Sequence, residues 1–414
     1  MNDTDFNASA GRQVEPTGTP VARIRGKRGR VVGRWLARVL LAFCFLVGFY
    51  CSVFPTGRAT VNALSILPGV LTATQPAWQA PVAEPVTHTQ TTLPSSSGTV
   101  FLGVYAPSAS APPVPGSREG MLVITGVGDN RKEPQVVNFS QTLARSGIVV
   151  MTVTTPALIA DRVDASDQDA VVRAFRVLQH WPEVGATRVG MFGVSAGGGL
   201  ICLAAADARI RDQVAFVALL GSYFDTTTLL ETLGRRAFAV NGQLQPWHPV
   251  PVPMQALSST IAPFLPGNDG SVLVNAFVSY PNGALTSDQL AHLAPESAAI
   301  YHLLVGDQPT RVTANMAALS PALRTMLANL SPSMVVNELH APIYLLHDRT
   351  DQFVPVSESR AFAAALARIH HPYDYAEFGI FQHADVRADL GISQTLGDGQ
   401  NLLRLLSEVT RAGS

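Results

Sequence analysis

The chain has 414 residues, of which 47% are hydrophobic and 14% are charged. This composition is typical of a folded globular protein and excludes a chain that is disordered throughout. The formal net charge of −1 at pH 7 excludes the strongly basic balance of most nucleic-acid-binding proteins, so we expect no nucleic-acid partner.

Basic residues are concentrated at the N-terminal end. Residues 1–38 carry eight Lys and Arg against three Asp and Glu, and residues 39–54 carry no charge. The lengths predict a disordered basic arm over 1–34, a transmembrane signal anchor over 35–54 and a linker over 55–85. Because Lys and Arg precede the apolar run, we expect the arm to lie in the cytoplasm and the chain after residue 54 to lie on the outer side of the cell membrane. The alternative is a signal cleaved near Ala59 or Ala63, which would give a secreted protein.

The folded domain is predicted over residues 86–414, where short apolar runs alternate with helical patterns. Strands are expected over 87–93, 99–105, 121–125, 148–153, 188–194, 214–220, 343–347 and 375–378. Helices are expected from Val136 to Leu143, from Asp167 to Leu178, over 197–206 and 357–369, and finally from Leu402 to Val409. Continuous apolar strands between helices predict an α/β fold, with a mostly parallel sheet covered on both faces.

The alternation is interrupted over residues 222–333. This stretch contains closely spaced prolines at 246, 249, 251 and 253. Helical patterns are expected over 287–293 and 316–327. The stretch is therefore predicted to be a largely helical cap inserted above the sheet.

One short motif indicates chemistry. Gly193-Val194-Ser195-Ala196-Gly197 fits the G-x-S-x-G pattern, in which a serine occupies a sharp turn between a strand and a helix. An apolar strand precedes Ser195 and a helix of small residues follows it, as this turn requires. Ser195 is therefore the candidate nucleophile.

A serine nucleophile needs a base and an acid that orients the base. Asp351, in the loop after the strand at 343–347, is the candidate acid. Asp348, directly at the end of that strand, and Asp225, after the preceding strand, are alternatives. Asp351 could instead cap the helix that begins near Ser357.

His383 is the candidate base because it follows the last predicted strand. The other histidines fit this role less well. His347 lies at a strand end, His370 and His371 precede the last strand, and His248, His292 and His302 fall within the cap.

Acyl transfer also needs two N–H groups to bind the oxyanion. One is expected from Ala196, which follows the nucleophile, and the other from the glycine-rich loop after the strand at 121–125. In that loop the N–H of Val127 is the first choice and that of Gly128 the second. Asp129, Arg131 and Lys132 are expected at the rim of the pocket, without a chemical role.

These motifs resemble the α/β-hydrolase superfamily over about residue 86 to the C-terminus. The order Ser195, Asp351, His383 matches the family's order of serine, acid and histidine. The sharp turn at Ser195, called the nucleophile elbow, resembles that of the dienelactone-hydrolase and esterase branches. Two positions differ from the family pattern: Asp348 stands where the family usually has Gly, and Thr125 stands where many members have His. The resemblance implies an eight-stranded, mostly parallel sheet, a cap after the sixth strand, and no metal or organic cofactor.

The expected function is that of a serine hydrolase, a carboxylesterase working through Ser195, His383 and Asp351 on a small-molecule ester or acyl substrate. A peptidase or amidase, and an acyltransferase or thioesterase, share this geometry. A hypothesis of another class is a catalytically silent surface protein that uses the same fold for binding. The membrane is an expected partner through residues 35–54.

Overall fold

The computed structural model describes residues 85–108, 115–240, 242–379, 381–382, 385–386, 398 and 404. The predicted arm, the predicted transmembrane segment and the predicted linker up to residue 84 lie outside the described residues. So do His383 and most of the predicted final helix. Within the described part of the chain, no helix combines the length and apolarity that a membrane crossing requires.

Ten strands belong to the folded domain up to residue 379. They are β1 (Val86–Ser95), β2 (Gly98–Pro107), β3 (Arg118–Ile124), β4 (Val149–Thr154), β5 (Val184–Val194), β6 (Val214–Leu220), β7 (Ala237–Val240), β8 (Gln243–Pro246), β9 (Ile343–Asp348) and β10 (Tyr373–Phe378). A further short pair, β11 (Phe381–Gln382) and β12 (Asp385–Val386), follows them.

Helices separate most of these strands. They are α1 (Pro134–Arg145), α2 (Pro156–Ile159), α3 (Asp167–Gln179), α4 (Ala196–Ala205), α5 (Thr226–Arg235), α6 (Pro251–Ile261), α7 (Asp269–Val278), α8 (Ser287–Ala291), α9 (Pro295–Val305), α10 (Val312–Ala317), α11 (Pro321–Asn329) and α12 (Ser357–Arg368).

Eight strands form one sheet in the order β1-β2-β4-β3-β5-β6-β9-β10. The pairings β1–β2 and β2–β4 are antiparallel, whereas every pairing from β4 across to β10 is parallel. The sheet is therefore mixed but mostly parallel, as predicted. Because β3, β5, β6 and β9 run in one direction, the loops that follow them meet at one edge of the sheet.

Alternate residues of each central strand serve two different cores. Leu122 and Ile124 of β3 pack with apolar residues of α3, α4 and α12, whereas Met121 and Val123 pack on the other face with Leu143 of α1. Side chains of successive strand residues point to opposite faces, so a strand covered by helices on both sides must be apolar throughout. The predicted α/β layering is confirmed.

The segment between β6 and β9 is built mainly from helices α5 to α11 and has its own apolar core. Two details differ from the sequence prediction. The helix expected over 316–327 is divided into α10 and α11, because Ser320 caps a new helix whose first residue is Pro321. The hairpin formed by β7 and β8 was not predicted. Its residues are partly or fully exposed and lack an alternating apolar pattern.

The two ends of this cap are joined at its base. Ser333 donates its backbone N–H to the Phe224 carbonyl at 2.9 Å and its hydroxyl to Asp225 at 2.6 Å. The buried carboxylate of Glu358 accepts the backbone N–H groups of Phe224 at 3.0 Å and Asp225 at 2.9 Å. Glu358 belongs to α12, so the base of the cap is tied to the sheet domain.

Candidate active site

Ser195 lies between β5 and α4 in a backbone conformation that residues other than glycine rarely adopt. Its φ is +53° and its ψ is −127°, so the serine occupies a strained turn. The Ser195 N–H donates to the Leu220 carbonyl at the end of β6 at 2.9 Å. A strained backbone that surrounding hydrogen bonds hold in place is common at functional sites. The turn places Ser195 at the start of α4, where the helix N-terminus favours negative charge.

The glycines around this turn allow its close packing. A Cβ atom on Gly197 would collide with the carbonyl oxygens of Ile124 and Thr125, and one on Gly193 would collide with the backbone of Gly198. A side chain at either position would therefore push the elbow away from β3 or from α4. The close packing is therefore the physical reason why glycines at this spacing indicate a nucleophile turn in the sequence.

The loop after β3 lies directly against the nucleophile. A Cβ atom on Gly126 would sit 3.5 Å from the Ser195 hydroxyl oxygen. Val127 and Ala196 both line the cleft that contains Ser195. Ala196 is the first residue of α4, so its N–H has no partner within the helix. These positions are consistent with the predicted oxyanion donors Val127 and Ala196.

The structure argues against Gly128, the second choice for this role. The N–H of Gly128 donates to the Leu158 carbonyl at 2.7 Å, so it is already engaged in a short hydrogen bond. Asn130, which the sequence analysis did not single out, holds the same loop. Its side-chain nitrogen lies 3.0 Å from the Gly126 carbonyl oxygen and 3.1 Å from that of Val127.

The residues expected at the pocket rim form a local pair. Arg131 binds Asp129 with two hydrogen bonds of 2.6 Å, and its guanidinium lies 4.0 Å from the ring centre of Phe101. The hydrogen bond from Arg131 lowers the pKa of Asp129. Asp129, Arg131 and Lys132 are not among the described residues that line the cleft.

Asp351 is buried, with 2% of its surface exposed. Its Oδ1 atom accepts the N–H groups of Phe353 at 2.7 Å and Val354 at 3.0 Å. Phe353 and Val354 line the cleft beside Ser195. The carboxylate is therefore fixed in a loop whose next residues line the same cleft as Ser195.

The two alternative acids have other visible tasks. Asp348 is buried at the end of β9, where its Oδ1 atom accepts the N–H and the hydroxyl of Thr350 at 2.9 and 3.0 Å. Asp225 caps α5 by accepting the N–H groups of Thr227 and Thr228. Capping explains Asp225 without a catalytic role.

Two further residues support the Asp351 loop and were not predicted to do so. His347 is fully buried, and its Nε2 atom lies 3.0 Å from the Val354 carbonyl. The indole N–H of Trp247, which belongs to the cap, donates to the Asp351 carbonyl at 2.7 Å. A buried histidine at a strand end and a tryptophan in a proline-rich stretch carry no sequence motif, so only the fold reveals these roles.

His383, the predicted base, lies outside the described residues. The last strand of the eight-stranded sheet ends at Phe378, and beyond residue 379 the structure describes only short pieces of the chain. The position of the imidazole relative to Ser195 therefore stays a prediction from chain order.

An apolar cleft opens over Ser195. Its empty space, including the open mouth, is about 570 Å³. The described lining residues other than Ser195 are Val127, Val163, Ala196, Tyr223, Thr226, Leu229, Val252, Pro253, Ala256, Leu257, Thr260, Leu330, Phe353 and Val354. Most of these side chains are hydrocarbon, and several belong to the cap helix α6. The cleft thus combines one elbow serine with an apolar wall.

The hydroxyl groups in this lining already donate to the backbone. Tyr223 donates to the Leu330 carbonyl at 3.1 Å, Thr226 to the Leu327 carbonyl at 2.6 Å and Thr260 to the Ala256 carbonyl at 2.7 Å. Burial raises the pKa of the Tyr223 hydroxyl, with smaller contributions from Cys202 and Glu358. Burial also raises the pKa of the Cys202 thiol in α4, so this group stays protonated near neutral pH.

No cluster of three or more His, Cys, Asp or Glu with metal-binding geometry occurs among the residues that the structure covers. The described site offers the hydroxyl of Ser195, the carboxylate of Asp351 and backbone N–H groups.

No protein-family model matches the chain, and no curated protein matches it. Solved structures do match at low identity. Dipeptidyl peptidase 4 of Porphyromonas gingivalis is 12% identical with a TM-score of 0.45, over 79% of this chain and 36% of that one. An acylaminoacyl peptidase of Pyrococcus horikoshii is 12% identical with a TM-score of 0.43, over 78% and 40% of the two chains.

A fungal esterase structure from Rhizomucor miehei is 13% identical with a TM-score of 0.45, over 87% of this chain and 91% of that one. The chain thus spans only about a third to two fifths of the length of the two peptidases.

Proposed function

We propose that this protein is a serine hydrolase of the α/β-hydrolase superfamily that cleaves carboxylic esters. The observation that carries the proposal is the strained backbone of Ser195, with φ +53° at the N-terminus of α4, on the wall of an apolar cleft. A serine that only joined a strand to a helix would have no need of this conformation. An exposed nucleophile in front of an oxyanion site requires it.

The proposed reaction begins when the Ser195 hydroxyl attacks the ester carbon and His383 takes its proton. The carbonyl oxygen becomes an oxyanion that accepts hydrogen bonds from the N–H groups of Val127 and Ala196. Asp351 orients the imidazole and stabilises it while it is protonated. When the tetrahedral intermediate collapses, the bond to the alcohol breaks and His383 gives its proton to the departing oxygen.

Water completes the cycle by attacking the acyl group on Ser195. His383 removes a proton from the water, the bond between Ser195 and the acyl carbon breaks, and the proton returns to the serine oxygen. The products are an alcohol and a carboxylic acid, and no redox partner is needed.

The cleft favours an ester whose bound group is uncharged and apolar. Its described walls are mostly hydrocarbon, and the hydroxyls of Tyr223, Thr226 and Thr260 already donate to backbone carbonyls. Burying apolar substrate surface here is favourable, at about 25 cal/mol per Å². A charged group placed against these walls would lose its hydration without gaining a partner from them.

The direct test uses the full chain in detergent with p-nitrophenyl butyrate and the corresponding p-nitroanilide. We expect rapid ester hydrolysis, much slower amide hydrolysis, and loss of both in Ser195→Ala. Ester turnover that survives Ser195→Ala would reject the assignment, and faster amide than ester turnover would favour a peptidase or amidase. A folded chain inactive on both substrates and unreactive toward a fluorophosphonate would favour the binding-protein hypothesis.

We also propose that residues 35–54 anchor the protein in the cell membrane with the catalytic domain outside the cytoplasm. The support is the uncharged run 39–54, which follows a segment rich in Lys and Arg. Alkaline carbonate should leave the chain in the membrane pellet, and protease added to intact spheroplasts should digest residues 86–414. Recovery of a chain lacking residues 1–60 from the medium would instead support the secreted form.

A further inference from the structure

Asn130 contacts three consecutive carbonyl groups of the loop beside Ser195. Its Nδ2 atom lies 3.0 Å from the Gly126 oxygen, 3.1 Å from the Val127 oxygen and 3.4 Å from the Gly128 oxygen. A carbonyl oxygen can only accept hydrogen bonds. The side-chain atom facing all three must therefore be the NH₂ group, which fixes the orientation of the amide.

Holding a carbonyl also fixes the N–H on the other side of the same peptide bond. The peptide between Gly126 and Val127 is planar and trans, so its C=O and N–H point in opposite directions. Because Asn130 binds the Gly126 carbonyl, the Val127 N–H must point away from Asn130. Val127 lines the cleft together with Ser195, which places this peptide at the cleft wall.

The next peptide is held from both sides. Asn130 binds the Val127 carbonyl at 3.1 Å, while the N–H of the same peptide, on Gly128, donates to the Leu158 carbonyl at 2.7 Å. Gly128 has a φ of +99°, a value that glycine adopts without strain. The loop is thus fixed immediately after Val127, and its freedom to rotate the Val127 N–H is small.

We propose that Asn130 is the positioning residue of the oxyanion site, acting through the Val127 N–H. This inference rests on the proposed function, since it assigns Asn130 a role only if an oxyanion forms beside Ser195. Stabilisation of an oxyanion depends on donors that are already oriented before the reaction begins. A loop without Asn130 would have to orient the Val127 N–H anew in each turnover.

The test compares Asn130→Asp and Asn130→Ala with Arg131→Ala. The aspartate keeps the shape of the side chain but presents a carboxylate oxygen to the carbonyls, which repels them. Both Asn130 variants should lower kcat by about 10- to 100-fold, less than or comparable to the loss of an oxyanion donor itself. KM should change little. Arg131→Ala alters a partly exposed neighbour in the same turn and should keep kcat within about twofold of the original.

Two measurements separate positioning from a merely structural effect. Active sites are counted by burst titration, so that kcat refers to folded protein only. A trifluoromethyl ketone, which adds to the serine and forms an oxyanion, should bind the Asn130 variants more weakly by the same factor as the loss in kcat/KM. Unchanged kcat per titrated site, or unchanged ketone affinity, would overturn the proposal.

The same set of kinetic assays includes Ser195→Ala. If that variant retains ester turnover, the proposed function itself fails. If it loses turnover while both Asn130 variants keep theirs, only the positioning role of Asn130 is rejected.

Discussion

The Nε2 atom of His347 lies 3.5 Å from Oδ2 of Asp351, and both side chains are fully buried. Nε2 also faces the Val354 carbonyl at 3.0 Å, so this nitrogen must carry the hydrogen. Nδ1 lies 2.7 Å from the hydroxyl oxygen of Ser359. The imidazole therefore links α12 to the loop that holds the candidate catalytic acid.

We expect His347→Phe to destabilise the protein and to impair catalysis together. The phenyl ring fills most of the space but leaves the Val354 carbonyl and the Ser359 hydroxyl buried without this partner, which costs about 2–4 kcal/mol. The Asp351 loop should shift, so kcat should fall. Urea unfolding and ester kinetics measure the two effects.

Ser359→Ala is the matched control for this change. It removes a single hydrogen bond from the same imidazole and should cost about 1 kcal/mol with kcat nearly preserved. Full stability and full activity in His347→Phe would show that the imidazole does not support the Asp351 loop.

Replacement of each candidate acid by its amide should separate their roles. In Asp351→Asn, kcat should fall by about 10³- to 10⁴-fold, because an amide cannot stabilise a protonated imidazole. Asp225→Asn should keep kcat, since asparagine also caps helices well. Asp348→Asn should lower kcat by less than about tenfold, since the amide keeps a side-chain oxygen that can accept the N–H and the hydroxyl of Thr350. A larger loss in Asp348→Asn than in Asp351→Asn would exchange their assignments.

A substitution on the cap should change the preferred length of the substrate. Ala256 of α6 lines the cleft, and Ala256→Phe should fill part of it. With p-nitrophenyl esters of increasing acyl length, we expect kcat/KM for acetate to stay within about threefold and that for decanoate to fall by about tenfold or more.

Gln255→Leu is the control for the cap substitution. Gln255 is the neighbouring residue on α6, and its side chain donates to the Val278 carbonyl at 3.4 Å. It is not among the described residues that line the cleft. The same acyl profile in Ala256→Phe as in the unaltered protein would mean that the acyl chain does not occupy this wall.

The buried Glu358 should give the protein a pH-dependent stability. Burial, reinforced by the charge of Asp225, raises the pKa of Glu358 above its ordinary value of 4.5, although hydrogen bonds from Asp225, Thr228 and Phe224 oppose this shift. A carboxyl whose pKa is raised by folding contributes stability below its unfolded value, and that contribution is lost as the pH rises through the folded value.

The difference between the original protein and Glu358→Gln isolates this effect. Upwards from pH 4.5, the ordinary value of the group, the free energy of unfolding of the original protein should fall relative to that of the glutamine variant. Urea titrations at a series of pH values measure the difference. A difference that is constant with pH, or that grows in favour of the glutamate, would contradict the raised pKa.

The central strands of the sheet were predictable because most of them are continuous apolar runs. The core strand β6 (Val214–Leu220) matches its predicted bounds, and the predicted turn between β1 and β2 is confirmed by the pairing of Ser95 with Gly98. The sequence prediction begins this strand at residue 188, four residues later than the observed start of β5 at Val184, because the residues before Val189 are small or polar. A search for continuous apolar runs does not detect the part of a strand that is built from small or polar residues.

The elbow was predictable because its chemistry requires glycine at fixed spacing, and Gly193 and Gly197 indeed pack against backbone. Asn130, His347 and Trp247 could not be found in the same way. Each acts on a backbone carbonyl. The carbonyls that Asn130 contacts lie two to four residues away, in a loop without regular secondary structure, whereas the one that Trp247 contacts lies 104 residues away along the chain. A polar side chain that serves a distant carbonyl leaves no local pattern in a single sequence.

The most direct test of the account is the site of covalent modification by a fluorophosphonate, read by mass spectrometry of the digested full-length protein. We predict one adduct, on the peptide that carries Ser195, with labelling at least about 10²-fold slower in His383→Ala because the serine then lacks its base. An unlabelled Ser195 peptide in the folded protein, or labelling that is as fast in His383→Ala, would contradict a nucleophilic serine activated by that histidine.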